Sequence, residues 1–500
     1  MNGKVSAPLN PPSVDPDYVP DPGRWRILTV LLVTVFMALL GVSIVNVVLP
    51  SIETGLGATQ SDIQWVLSGY ALTFGVVLVA AGRAGDVFGR GPIFIAGLLL
   101  FTLSSVAAGL AQDPATLNLI RFIQGSGAGL LNPQAIGMIQ QYFRGEERAR
   151  AFGLLGSVIG VSAAIGPLIG GLLVQLAGEE NGWRWTFLVN VPVGVVATAL
   201  AFLWFPKPMG TRTAPAAGLD ARAGPAAAYQ PRDLDPVGSV LLGAVVLVVL
   251  LPFVESREAP WLWALLPVGA AGLWLWVWWE RRYKRIGRSP MVDPSLFRLS
   301  SFANGTAISG LYMMGMTSVW VLIALYLQDG LGRTALEAGL VGLPAAVLVA
   351  AGSNWAGGKV TAYGRRVVIW GIFSAFFGLV SSILVIQLHQ HAGISIWWLL
   401  PALAFVGLAQ GLVVSPNQTL TLAEVPLDYA GSAGAVQQTG QRVGTAVGIA
   451  LVTAVSFAVL ARSDWTAAIT IGFAAIAVIV LATLAIALKD QRIRAGAGLR

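Results

Sequence analysis

The sequence predicts an all-α membrane protein of fourteen transmembrane helices, arranged as two six-helix bundles plus two inserted helices. Three observations predict this class. Of the 500 residues, 56% are hydrophobic and only 11% charged, and the mean hydropathy is +0.74. A soluble chain carries roughly a quarter of its residues as Asp, Glu, Lys and Arg, so the missing charge points to lipid as solvent. Apolar runs near the length of a bilayer crossing recur fourteen times. Between those runs, Lys and Arg fall almost wholly on one side.

The runs are 27–50, 63–82, 93–111, 117–141, 152–174, 184–205, 236–254, 261–279, 301–327, 337–356, 367–387, 395–417, 431–459 and 466–488. Each is nearly continuous in hydrophobicity, whereas the strands of a membrane barrel alternate with period two. Helices also satisfy every backbone amide within the segment, as lipid requires. Alternate loops assigned to one side hold 25 Lys and Arg, and those on the other hold four, namely Arg184, Arg257, Arg333 and Arg462. Cytoplasmic loops carry the positive excess, so both termini are expected in the cytoplasm. An even number of spans agrees with that.

This map divides the chain into parts. Residues 1–26 hold six prolines and read as a disordered cytoplasmic tail, without a secretory signal. Residues 27–206 form the first six-helix bundle and 207–235, rich in Ala, Pro and Gly, a cytoplasmic linker. The inserted pair occupies 236–280, a basic cytoplasmic loop 281–300, the second bundle 301–488 and a cytoplasmic tail 489–500. A repeat supports two bundles: Gly82-Arg83-Ala84-Gly85-Asp86-Val87-Phe88-Gly89-Arg90 has a counterpart in Gly357-Gly358-Lys359-Val360-Thr361-Ala362-Tyr363-Gly364-Arg365. Each follows the second span of its half.

Several function classes are excluded. With no cysteine and only His389 and His391, thiolate and three-histidine metal sites are out of reach. The glycine-rich 82–91 turn lacks the Gly-Lys-Ser/Thr ending of an ATP site. No nucleophile and base stand paired, so no enzyme activity and no cofactor are expected. The basic run from Arg281 to Arg288 follows Trp278 and Trp279 and reads as an anchor on anionic lipid, so lipid is a partner and nucleic acid is not.

Polar residues inside the spans are the candidates for function. Arg121 either faces a polar cavity or snorkels to the interface, and Gln124 lies a turn further on its face. Arg442 sits near mid-membrane beside Gln437, Gln438 and Gln441, sharing a face with Gln438. Asn46, Tyr70, Asn132 and Gln134 in the first half, and Tyr312, Met313, Met316, Asn354, Gln410 and Asn417 in the second, either line a mostly apolar pocket or pack between helices. Gly153, Gly156, Gly160, Gly166-Pro167 and Gly170-Gly171 mark close packing or a hinge. None of the 24 acids falls in the middle third of a span.

These residues resemble the major facilitator superfamily, specifically its fourteen-spanner drug/proton antiporter branch. The likeness covers about residues 27–488 and rests on several motifs. Gly82 to Arg90 is similar to the loop motif between helices 2 and 3, Arg121 to Gly129 to the helix 4 motif, and Gly160 to Gly171 to the antiporter motif of helix 5. Trp183 to Gly194 and Leu234 to Gly238 are typical of the branch. The resemblance implies a major facilitator fold and a monomeric secondary exporter of small amphipathic or lipophilic drug-like solutes. It further implies a proton as coupling ion and a bacterial inner membrane. Asp86 and Arg90 would then stabilise the outward-facing state, with Asp86 near the start of the 431–459 helix and Gly82 and Gly89 permitting the approach. Arg121 would assist proton transfer, with Gln124, Gln438 and Arg442 as further coupling candidates, while Gly166, Pro167 and Gly170 would mark an exporter.

Two motifs depart from the branch. Gly41 stands where an acid is usual in the first span, and Val87, Gly91 and Pro92 stand where basic residues are common. With acid-free span centres, Gly41 motivates an alternative: a dedicated exporter of an anionic or zwitterionic metabolite or lipid, whose coupling does not depend on a first-helix acid.

Overall fold

The computed structural model describes residues 20–178, 180–207, 234–255 and 260–496. Most of the expected tail 1–26 and linker 207–235 therefore lies outside the described residues. In the first half the helices are α1 (Arg24–Leu56), α2 (Gln60–Phe88), α3 (Arg90–Gly109), α4 (Pro114–Tyr142), α5 (Gly145–Ala177), α6 (Gly182–Leu188) and α7 (Asn190–Trp204). Between the halves come α8 (Pro236–Glu255) and α9 (Leu265–Arg285). The second half holds α10 (Ser300–Leu325), α11 (Ala335–Leu340), α12 (Leu343–Tyr363), α13 (Arg365–Ala392), α14 (Leu399–Thr421), α15 (Ala430–Leu460) and α16 (Trp465–Gly496). No strand occurs among the described residues.

Two spans are broken, and proline accounts for both. A proline ring clashes with the carbonyl four residues earlier. Pro192 lies four residues after Leu188, where α6 ends, and Pro344 four after Leu340, where α11 ends. Joining the pieces gives fourteen spans. Among the described residues, thirteen helical stretches are long and apolar enough to cross a membrane. The other long helix is α4, whose 29 residues include Arg121, Gln124, Asn132, Gln134, Gln140 and Gln141. It is shielded instead: α4 packs between α2 and α3 and buries Arg121, Gln124 and Gln134.

Within the first half α4 is central and α1 lies along α5; in the second, α10 packs on α15 and α14 on both α12 and α13. Lipid gives helices no hydrophobic reason to associate, so small residues that let backbones touch take over. A Cβ on Gly127 would stand 2.8 Å from the Phe101 amide nitrogen and 3.1 Å from the Gly97 carbonyl oxygen, which sets the α3–α4 spacing. The inserted helices α8 and α9 pack on each other, and α8 leans on α2.

The two halves meet along α2–α15 and α5–α12, with further contact of α5 on α14 and α4 on α15. The glycine series of α5 divides its work. A Cβ on Gly153 would lie 2.8 Å from the Ser353 carbonyl oxygen, one on Gly156 2.6 Å from the Ser353 hydroxyl and one on Gly160 2.7 Å from Val349. Those three glycines join the halves, and Ser157 adds a hydrogen bond to the Ala350 carbonyl at 2.8 Å. Gly166 and Gly170 instead press on Ser43 and Ile44 of α1. Helix α5 runs unbroken through Gly166-Pro167, and the Pro167 side chain lies outside the described residues.

The loops assigned to the basic face converge on one end of the molecule. Arg24 pairs with Glu147 at 2.9 Å, Arg90 reaches the Leu427 carbonyl, and Lys284 pairs with Asp293 at 2.7 Å. On the opposite face Arg184 donates to the Gly109 and Ala111 carbonyls. Helix ends differ from the expected map in two places. α1 begins at Arg24, inside the expected tail. α16 continues to Gly496, so much of the expected tail 489–500 is helix with Asp490 fully buried. The linker ends in a buried Asp235, whose carboxylate accepts from the Gly238 amide at 2.9 Å and from the Trp279 indole at 2.9 Å.

Candidate functional site

The α2–α3 turn supplies the first part of the site. Gly89, at φ +97°, lets α2 end and α3 begin within one residue, a conformation that side chains with a Cβ disfavour. Asp86 and Arg90 thereby face each other at 2.9 Å, both buried. The Asp86 carboxylate also accepts from the Gly431 and Ser432 amides, at 3.0 and 2.9 Å. These are first-turn amides of α15, which lack helical partners and favour an anion. Arg90 donates to the Gly137 carbonyl at 2.7 Å, to Gln141 at 3.0 Å and to the Leu427 carbonyl at 2.8 Å. Gly82 completes the approach, since a Cβ there would lie 2.7 Å from the Gly431 carbonyl oxygen. One carboxylate thus stitches the two halves together at the basic face.

Arg121 does not snorkel. It is 2% exposed, donates to the Val66 carbonyl at 2.8 Å and to Gln124 at 2.6 Å, and Gln124 donates on to the Ser105 hydroxyl at 2.8 Å. Its guanidinium lies 4.3 Å from the centroid of the Tyr70 ring. Tyr70 stacks on Phe74 one turn along α2, centroids 6.3 Å apart. Arg442, from the other half, lies 4.5 Å from the Phe74 ring centroid. Two cations therefore cap a pair of stacked aromatic rings, one held within its bundle and the other reaching across from α15.

Arg442 differs from Arg121 in exposure. It is exposed, although Phe74 of the other half lies against it. Around Phe74 the helices are close: the neighbouring Gly75 meets Leu250 of α8, and Gly129 of α4 meets the Phe74 carbonyl. Gln438, four residues away, is half-buried, and its carbonyl oxygen has no hydrogen-bond partner among the described residues. Gln437 and Gln441 both donate to the Ser309 hydroxyl, at 3.1 and 3.3 Å.

Several expected pocket residues are packed away instead. Gln134 is fully buried and donates to the Ala81 carbonyl at 2.7 Å, filling the α2–α4 contact at Gly85. Tyr312 and Met316, 1% and 4% exposed, belong to the core of the second half. Asn417 is fully buried, accepts from Arg365 and donates to the Gly305 carbonyl at 2.8 Å and to Ser309 at 2.9 Å. Tyr70 is 6% exposed, with its ring against Arg121. Asn132 is half-buried and turns back on the Ala128 carbonyl. Met313 and Gln410 are half-buried, and Asn354 is exposed on the same stripe of α12 as Val347. The Asn46 side chain lies outside the described residues. Lipid-facing and interior-facing residues look alike in sequence, which is why residue type alone left both pocket lining and helix packing open for Gln134, Tyr312, Met316 and Asn417.

Four groups of consequence carried little sequence signal. Phe74 and Ser309 read as ordinary span residues. Asp490 lies beyond the last apolar run, yet it pairs with Arg365 at 2.7 Å with both side chains almost fully buried, and it accepts from Asn304 at 2.9 Å and Arg494 at 3.2 Å. Arg365 is the repeat counterpart of Arg90, directly after Gly364, and that repeat was the available clue. Asn190 is 1% exposed, with neither amide atom partnered among the described residues. A Cβ on Gly41 would lie 3.4 Å from its nitrogen, so the position where the branch carries an acid faces this amide.

Comparison with known proteins agrees with the architecture. Residues 31–449 match the family described as Major Facilitator Superfamily. The chain is 34% identical over 441 residues to a probable actinorhodin transporter of Streptomyces coelicolor, covering 87% of this chain and 73% of that one. It is 32% identical over 444 residues to the puromycin resistance protein pur8 of Streptomyces alboniger, covering 87% and 82%. The crystal structure of the human organic anion transporter MFSD10 superposes with a TM-score of 0.66 over 93% of this chain and 100% of that one. At 14% identity that likeness speaks for the fold alone.

Proposed function

Because the chain belongs to the major facilitator superfamily, we propose that it is a secondary active exporter moving amphipathic, drug-like solutes out of the cell by alternating access. The observation that carries this reading is the asymmetry of the contact between the halves. At the basic face Asp86 and the α15 amides close the seam, while mid-membrane Arg442 remains exposed between the halves. That is the arrangement of a machine shut on one side with a vestibule toward the other. With the basic face placed in the cytoplasm, the vestibule opens outward, toward the side where an exporter releases cargo. The relatives named for antibiotic transport and resistance support solutes of that kind.

In this reading the protein works as a monomer in a bacterial inner membrane, with both termini cytoplasmic and a proton as the coupling ion. Arg121 takes part by position. Held by Val66, Gln124 and the Tyr70 ring, its fixed charge sets the field at the vestibule floor without itself exchanging a proton. Gly82 and Gly89 allow the seam to close, and Gly166 and Gly170 keep α5 tight on α1 while its other end parts from α12.

Reconstituted protein is expected to move such solutes against their gradient when a pH gradient is imposed across proteoliposomes. A chain that binds those solutes but moves none under either a pH or a sodium gradient sinks the transporter reading. Movement under sodium alone removes only the proton.

A further inference from the structure

We propose that the cargo is an organic anion with a planar apolar body, its negative group paired with Arg442 and its body laid beside Phe74. This deepens the exporter reading and rests on it. The inference starts from charge placement. Among the described residues the fully or nearly buried acids are Asp86, Asp235, Glu280, Asp293 and Asp490, and all sit at helix ends on the basic face. The middle of the molecule holds two guanidiniums, Arg121 and Arg442, and no carboxylate. An arginine stays charged in a protein, so the vestibule carries a positive field from residues that cannot neutralise themselves.

The two cations differ in what they have left to offer. Arg121 is occupied by a carbonyl, an amide and an aromatic face. Arg442 lies against the Phe74 ring, and no acceptor among the described residues takes a hydrogen bond from it. Its fork of donors is free to meet a carboxylate, sulfonate or phosphate in two parallel bonds. A cation stacked on a ring fixes the plane in which such a group must approach. Gln438 lies one turn away, its buried carbonyl oxygen without a hydrogen-bond partner among the described residues. A cationic cargo finds the reverse: no mid-membrane acid, with Gly41 leaving only the uncharged Asn190 where the first span meets α7.

Charge also changes the energetics of export. One proton entering as one monovalent anion leaves carries two positive charges inward, against one for a neutral solute and none for a cation. An interior-negative potential then drives anion export most strongly.

The test uses three probes sharing one body: 2-naphthoate, its methyl ester and 2-naphthylmethylammonium. Binding to the purified full-length protein is measured by calorimetry, and export from proteoliposomes is followed with a pH gradient and a valinomycin-set potassium potential applied separately. The naphthoate is expected to bind about tenfold or more tighter than the ammonium. Arg442→Gln should abolish that preference while leaving the thermal midpoint unchanged, Arg442→Lys should restore part of it, and naphthoate export should respond to potential more steeply than export of the ester. Preference for the ammonium, an unchanged preference in Arg442→Gln, or binding of none of the probes overturns the assignment. Naphthoate that binds through Arg442 yet is never exported leaves the site standing and overturns the exporter reading instead.

Discussion

Replacing Asp86 by alanine is expected to open the basic face. Its carboxylate takes two hydrogen bonds from the other half, at the Gly431 and Ser432 amides, and one from Arg90 in its own half. Only the first two are at stake when the halves separate. Bonds to a charged group contribute about 1.5–3 kcal/mol each, so losing both shifts the closed population by about a hundredfold or more. The alanine also leaves Arg90, 8% exposed, without its carboxylate. The Asn variant keeps the shape and one acceptor and should fall between. The chain has no cysteine, so one introduced at the fully buried Ala149 on the α5–α12 seam reports the gate without background. Maleimide reagent applied from the basic face should label it at least about ten times faster in Asp86→Ala. Equal labelling rates in the two proteins sink the idea that Asp86 holds the halves together.

Asp490→Ala is expected to be the most destabilising single change in the second half. Asp490 is fully buried and receives Arg365 at 2.7 Å, Asn304 at 2.9 Å and Arg494 at 3.2 Å. A buried pair contributes little net stability compared with apolar residues of its own size, but removing one member leaves the other charge uncompensated at a cost of about 3–5 kcal/mol. The thermal midpoint of the detergent-solubilised protein should drop sharply, and Asp490→Ala with Arg365→Met should recover part of the loss. Equal midpoints for the single and double variants would contradict the uncompensated-charge account. Truncation after residue 488 should resemble the single change, because α16 carries Asp490 past the end of its apolar run.

Helix positions were largely legible because lipid demands long apolar segments. The expected 93–111 and 431–459 correspond to Arg90–Gly109 and Ala430–Leu460. The reading fell short where helix outlasts apolarity: α5 starts at Gly145, before the expected 152, because Glu146 and Glu147 suit a helix start but not lipid. The glycines of the α2–α3 turn were likewise legible, since backbone geometry restricts which residues serve there, whereas the nearness of Asp86 to the start of α15 was implied only by the resemblance to the family. The Arg442–Phe74 contact was not. Helices such as α10 and α12 spread their few polar residues around the axis with no preferred apolar side, so the amphipathic stripe that orients a helix in a soluble protein is missing.

Sequence alone determined that this chain is a bundle of membrane-crossing helices with a basic face and a two-fold internal repeat. Those properties follow from how many apolar residues run together and where charge interrupts them. Tertiary structure alone decided which polar side chains meet: that Arg121 is consumed by its own bundle, that Arg365 finds Asp490 across 125 residues of chain, and that Arg442 lies exposed against Phe74 of the other half. Pairing depends on the rotation of each helix about its axis, and in lipid that rotation is set by close contact between neighbours, not by which face is apolar.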